Sequence, residues 1–290
     1  MNERRGVAVR AKNGDASDAP PVVTLRADDG ATAEVHHHGA HVTSWRPAPD
    51  GDERLYLSGA SEYGAGKAIR GGIPVIFPQF ATEGPLPRHG FARTTDWAIG
   101  GVGRSSNGMA EADLVLRDSE ETRAIWNAEF SAVVSVRVVG ARLAVTLAVE
   151  NVGDTPFAFT AALHTYLRVS DVRNVRIVGL EGTRYRVPGS RALIRDESES
   201  VVVGETLERV YASAPPRIEL HDGSRTLSII SEGFPDAVLW NPGREAAASV
   251  RDIEPGGEQR FVCIEAAAAQ SQIELLPRRR WSGTQTLVAH

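Results

Sequence analysis

The chain has 290 residues, 42% of them hydrophobic, and a net charge of -5 at pH 7. That length can bury a sizeable core in one large domain or two smaller ones, and the charge supplies no basic field of the kind that draws nucleic acid. The single cysteine, Cys263, excludes an intrachain disulfide and a thiolate metal site and fits a reducing, cytoplasmic compartment, while no apolar run of about eighteen residues points to a membrane span.

Residues 1–20 mix Arg4, Arg5, Arg10 and Lys12 with Glu3, Asp15 and Asp18 and lack the apolar stretch of a signal peptide, so they read as a disordered tail. From Val22 onward apolar residues recur mostly at period two, in short runs broken by Gly, Pro, Asn and Asp, which is an all-β signature. Val22 to Leu25 and Ala31 to Val35 are the first strand candidates. The histidines that follow, His36, His37, His38 and His41, do not make a metal site. In an extended chain His36 and His38 share a face while His37 points away, and no carboxylate or cysteine is placed to complete a shell.

Next comes IRGGIPVIFPQF, Ile69 to Phe80, in which Arg70 precedes paired glycines that permit close backbone approach to a ligand. A guanidinium there can grip a phosphate in a bidentate fork. The Pro-rich loop beginning at Gly84 then carries Arg88, His89, Gly90 and Arg93. If it folds back beside Arg70, two or three guanidiniums converge and a dianionic phosphoryl group would satisfy them. Taken singly, each arginine reads more readily as a surface charge, paired with a carboxylate or solvated.

Ser119 to Asn127 is a short helix candidate, and Phe130 to Val139 a strand. Leu143, Val145, Leu147 and Val149 lie on one strand face before a turn marked by Gly153, Asp154 and Pro156. The return strand puts Phe157, Phe159, Ala161 and Leu163 on one face and Ala158, Thr160, Ala162 and His164 on the other, so His164 ends a row of small residues that leaves room for a ligand. Further strands are expected at Val172 to Leu180, Arg225 to Ser231 and Ala237 to Trp240. In PDAVLWNP, Pro235 to Pro242, Asp236 could accept bonds from sugar hydroxyls beside the flat ring of Trp240, or simply serve a turn.

Arg260 to Glu265 sets Phe261, Cys263 and Glu265 on one face, and burial there would raise the Glu265 carboxyl into the range of a general base. Ala266 to Gln272 reads as a second short helix, and Arg278 to Arg280 as a solvated turn. The strand count and the lack of long helix-period segments favour one large antiparallel β-sandwich domain spanning 21–290.

Taken in order, IRGGIPVIFPQF, LPRHGFAR, ALHTYL, PDAVLWNP and VCIEA resemble the hexose-6-phosphate mutarotases (glucose-6-phosphate 1-epimerases) of the aldose 1-epimerase superfamily, and GAHVTSW resembles that family's N-terminal strand pair. The resemblance implies a galactose mutarotase-like β-supersandwich with the site on a concave face. It further implies His164 as general acid, Glu265 as general base, Arg70 and Arg93 as 6-phosphate ligands, Asp236 as a hydroxyl ligand and His89 as a second site histidine. Arg88 stands where some members carry Gln. Implied too are a monomer, no metal or organic cofactor, and a small sugar phosphate as the only partner. The competing expectations are an aldose 1-epimerase for unphosphorylated sugar, which predicts no convergent arginines, and a non-catalytic carbohydrate-binding sandwich, which needs no His–Glu pair.

Overall fold

Alternation turns Phe130–Val139 into a strand with one face in the core: every second residue from Phe130 to Val138 is buried and those between are half-buried. Ala110–Arg117 repeats the pattern. In the computed structural model, which describes residues 21–48 and 50–290 and the backbone of 7–10, these strands belong to a nine-stranded antiparallel sheet. Its order is Ser200–Val201, Arg176–Val178, Arg217–Asp222, Arg225–Glu232, Arg280–Ala289, Arg142–Asn151, Phe130–Val139, Ala110–Arg117, Ala98–Arg104.

The second sheet has eight strands, among them Leu207–Ala212, Asp236–Asn241, Phe261–Leu275, Phe157–Leu163 and Val75–Ile76 in that order, with Tyr166–Arg168 also paired to Phe261–Leu275. Its middle strand is buried on both faces over its first nine residues, Phe261 to Ala269. Ile264, Ala266 and Ala268 face the main core, where they meet Val134, Leu147 and Leu287 of the other sheet. Ala267 and Ala269 face the opposite way and pack with Ala162, Ile76, Phe80, Val210 and Val238 in a second, smaller cluster. A four-stranded sheet of Val7–Arg10, Val22–Arg26, Thr32–His36 and His41–Arg46 completes the sandwich.

Most expected strands form at or within a residue or two of their expected bounds. The stretch from Val172 splits into a 3-10 turn, Val172–Asn174, and the strand Arg176–Val178. The helix expected over Ser119 to Asn127 is Glu120–Ile125, held by reciprocal Ser119 and Thr122 capping bonds. The other expected helix does not exist: Ala266 to Gln272 continues the strand Phe261–Leu275. Alanine favours helices in isolation, but here its small side chain suits a strand covered on both faces, and packing overrides propensity. Within the expected tail, Val7–Arg10 forms a strand against Val22–Arg26; residues 1–6 and 11–20 lie outside the described residues. Among the described residues no helix is long and apolar enough to cross a membrane.

Candidate active site

His164 and Glu265 meet on the sheet face turned away from the main core, with Nε2 and Oε1 3.4 Å apart. The local chain explains why both point there. Just past Leu163 the backbone leaves its ladder, and the His164 N–H donates to the Pro74 carbonyl at 3.0 Å. Thr165 turns inward, and its carbonyl accepts from Ile264 N–H at 3.1 Å. From the facing sheet, buried Gln285 accepts a bond from the Thr165 hydroxyl and donates to the Ile264 carbonyl at 3.0 Å. One amide thus fastens the residues adjoining both His164 and Glu265. The imidazole lies flat on the Tyr166 ring, with centroids 4.9 Å apart and planes 11° from parallel, and Trp240 and His89 meet it edge-on.

Electrostatics set the resting protonation. Burial pushes the Glu265 carboxyl well above the usual range, and Glu208 adds to the shift. Burial, then the neighbours His89, Arg70 and Arg93, hold His164 well below the ordinary imidazole value. Both shifts run against charge: burial disfavours an imidazolium on His164 and a carboxylate on Glu265. His164 Nδ1 and Glu265 Oε2 are buried without hydrogen-bond partners.

The expected convergence of arginines occurs. Arg70 donates from Nη1 to the Tyr166 hydroxyl at 2.9 Å and pairs through Nε with Asp252 at 3.1 Å. Burial opposes its charge, but Tyr166 and Asp252 outweigh that and raise its pKa further. Behind it, His41 donates from Nε2 to the Gly71 carbonyl at 2.7 Å, and Gly72 sits so close to Val42 that a Cβ would lie 2.2 Å from its carbonyl oxygen. Arg93 is drawn down to about 10 by burial and by Arg70 and Arg88, and its Nε is buried without a partner. The charges of Arg93, Arg88 and Arg70 all act on His89, which burial and those charges lower to about 3. His89 is thus neutral. Its Nδ1 accepts from Ala81 N–H at 3.2 Å, so the ring proton lies on Nε2. The loop is seated by Gly90, where a Cβ would meet the Phe77 carbonyl oxygen at 2.1 Å. Arg88 is exposed, and its carbonyl accepts from Arg93 Nη2 at 3.3 Å.

Asp236 departs from expectation. Its Oδ2 accepts from the Ala269 and Gln270 N–H groups at 2.9 and 2.8 Å and its Oδ1 from Ser213 N–H at 3.3 Å. Buried and bound by three backbone N–H groups, it ties neighbouring strands together and has most of its acceptor positions filled. The carboxylate that faces the site is instead Glu208, which lies across the strand pair from Trp240, raises the pKa of Glu265 and feels Arg88. Glu208, Asp252 and the hydroxyl of Tyr166 escape sequence reasoning. Alternation could have placed Glu208 on the face of Val210, but nothing in sequence brings Asp252 to Arg70. The N-terminal histidines are structural: His38 bonds Asp96 and the Lys67 carbonyl at 2.6 and 2.7 Å, and His36 stacks on Tyr63. Among the described residues no group of three or more His, Cys, Asp or Glu could hold a metal ion.

Against this geometry, residues 21–288 match the family model described as aldose 1-epimerase. A Cenchrus ciliaris protein named "Putative glucose-6-phosphate 1-epimerase" is 36% identical over 279 residues, covering 92% of this chain and 84% of its own. The crystal structure of a "putative mutarotase" from Salmonella typhimurium superposes with a TM-score of 0.85 at 27% identity, covering 98% of this chain and 96% of that one. At 16% identity, galactose 1-epimerase from Lactobacillus acidophilus shares the fold alone, with a TM-score of 0.73 and 98% coverage of both chains. With a buried His–Glu pair on a mutarotase fold and a family match across nearly the whole chain, the protein belongs to the aldose 1-epimerase family.

Proposed function

We propose that the protein interconverts the α and β anomers of a hexose 6-phosphate, with glucose 6-phosphate as the first substrate to test. The observation that carries this reading is the convergence of Arg70 and Arg93 beside the buried His164–Glu265 pair. An epimerase acting on a neutral sugar has no use for that concentration of positive charge in a chain whose net charge is negative. The curated relative's name points to the same substrate.

In the working state the Glu265 carboxylate takes the proton from the anomeric hydroxyl while imidazolium His164 gives one to the ring oxygen. The C1–O5 bond breaks, the C1–O1 bond becomes the aldehyde carbonyl, and rotation about C1–C2 exposes its other face. Reversal of the two proton transfers closes the ring as the other anomer. Neutral His89 offers its Nε2–H, and Glu208 an acceptor, to sugar hydroxyls. Arg70 and Arg93 hold the phosphate, Arg88 adds charge at the rim, and every residue named lies in one chain, so a monomer suffices. Each positioned proton transfer is worth on the order of 10²- to 10⁴-fold. The test is anomerisation of freshly dissolved α-glucose 6-phosphate, read by a β-selective dehydrogenase after subtraction of the spontaneous rate. The wild type should accelerate it, and Glu265→Gln should lose on the order of 10²-fold or more in kcat; a Glu265→Gln enzyme with wild-type kcat would overturn the assignment.

A further inference from the structure

The mechanism needs the proton shared by the pair on His164, where burial and the nearby guanidinium charges oppose it. What separates the two states is charge behind the imidazole. Arg70 reaches His164 through Tyr166, whose hydroxyl it binds at 2.9 Å and whose ring lies flat against the imidazole. The charge of Arg93 also acts on His164 and Tyr166, and its Nε is buried without a partner. Asp252, half-buried, is the one carboxylate ion-paired to Arg70 among the described residues, and none is paired to Arg93. The cluster therefore holds uncompensated positive charge in a poorly solvated place, where Coulomb effects are strong.

We propose that the arginine cluster is an activating site as well as a handle: a dianion bound by Arg70 and Arg93 cancels the positive charge behind Tyr166 and lets the single proton of the buried pair pass from Glu265 to His164. The inference rests on the hexose 6-phosphate reading above. The step is balanced within the pair. The O–H bond of the Glu265 carboxyl breaks, an N–H bond forms at His164 Nε2, and carboxylate and imidazolium result.

The other groups facing His164 do not intercept the proton. Cys263 and Tyr166 stay neutral because burial pushes both thiol and phenol up. His89 has its Nδ1 lone pair engaged by Ala81 N–H, and Trp240 presents only a ring edge. Glu208 adds negative charge near Glu265, which favours keeping the proton there until the dianion arrives. Phosphate binding energy would thereby appear in kcat as well as in KM, because it is spent on assembling the reactive protonation state.

The dianion need not be attached to the sugar. Sulfate is a dianion at neutral pH and too weak a base to open the ring itself. With wild-type enzyme, the rate of free glucose anomerisation, corrected for the enzyme-free rate at each concentration, should rise saturably with added sulfate by about tenfold or more, and Arg93→Ala should lose the effect. In parallel, the ring ¹⁵N resonances of His164 should move from imidazole to imidazolium positions as sulfate or glucose 6-phosphate saturates the site. Glucose rates that stay flat or fall with sulfate, together with a neutral His164 in the glucose 6-phosphate complex, would overturn the activation. If glucose 6-phosphate is turned over normally in that experiment, only the activation falls; if it is not turned over at all, the substrate reading falls with it.

Discussion

Three of the buried histidines, His41, His89 and His164, are held below the ordinary imidazole value, and this has a measurable consequence. His41 and His89 are both lowered to about 3, chiefly by burial. Between that value and the ordinary imidazole value the unfolded chain binds protons that the folded chain refuses, so stability falls as pH falls, by about 1.4 kcal/mol per pH unit for each group. Glu265 acts in the opposite sense. Raised in the fold, it keeps a proton that the unfolded chain gives up, so its contribution is lost as pH rises above the ordinary carboxyl value. His41 touches no expected substrate atom, and His41→Gln keeps a donor for the Gly71 carbonyl. Urea titrations at about pH 6 and about pH 4 should show the wild type losing roughly 2 to 3 kcal/mol more than the variant; parallel losses would mean that His41 is charged in the fold. At this scale the sequence was informative where a residue's role follows from strand parity. Cys263 and Glu265 share a face as alternation requires, and burial raises Glu265 as expected. Parity could not show that the carboxylate of Asp236 is consumed by three backbone N–H groups, because those donors come from positions far along the chain.

The strands carry the site through contacts between sheets. Gln285 lies on Arg280–Ala289 of the nine-stranded sheet yet bonds the Thr165 hydroxyl and the Ile264 carbonyl of the other. Gln285→Leu would leave both groups buried and unpaired, at a cost of about 1 to 3 kcal/mol each, and would loosen His164 and Glu265 together. We expect a lower melting temperature and a kcat reduced more than tenfold at similar KM; an unchanged kcat would show that the two catalytic elements hold their places without it. The turn after the helix Gly243–Ala247 delivers Asp252 to Arg70. That ion pair is partly solvated, so Asp252→Asn should raise KM for glucose 6-phosphate only about two- to fivefold and leave KM for glucose unchanged. An equal change for both sugars would remove Asp252 from the account of Arg70. The alternating strands, such as Phe130–Val139, were legible because one face of the outer sheet is half-exposed. The alanine run from Ala266 was not, because a strand buried on both faces loses its alternation and leaves only helix propensity to read.

Across the whole molecule, a net negative chain gathers the charges of Arg70 and Arg93 about His164 of the buried pair. The segments that supply the site, around Arg70, Arg93, His164, Glu208 and Glu265, are far apart in sequence and meet only through long-range strand pairing. Motif order could suggest their convergence, but the path of the sheet decides it. We expect residues 21–290 to unfold as one cooperative unit, with intrinsic fluorescence and far-UV circular dichroism giving coincident transitions; two separated transitions would divide the domain. The most direct test of the central claim compares kcat/KM for anomerisation of glucose 6-phosphate and of free glucose in the wild type and in Arg93→Ala. The account predicts a strong wild-type preference for the phosphate, reduced roughly tenfold to a hundredfold by loss of one charge-assisted phosphate contact, with the rate on free glucose measured without added anion not falling. Equal wild-type efficiency on both sugars, or a variant that retains the full preference, would contradict it.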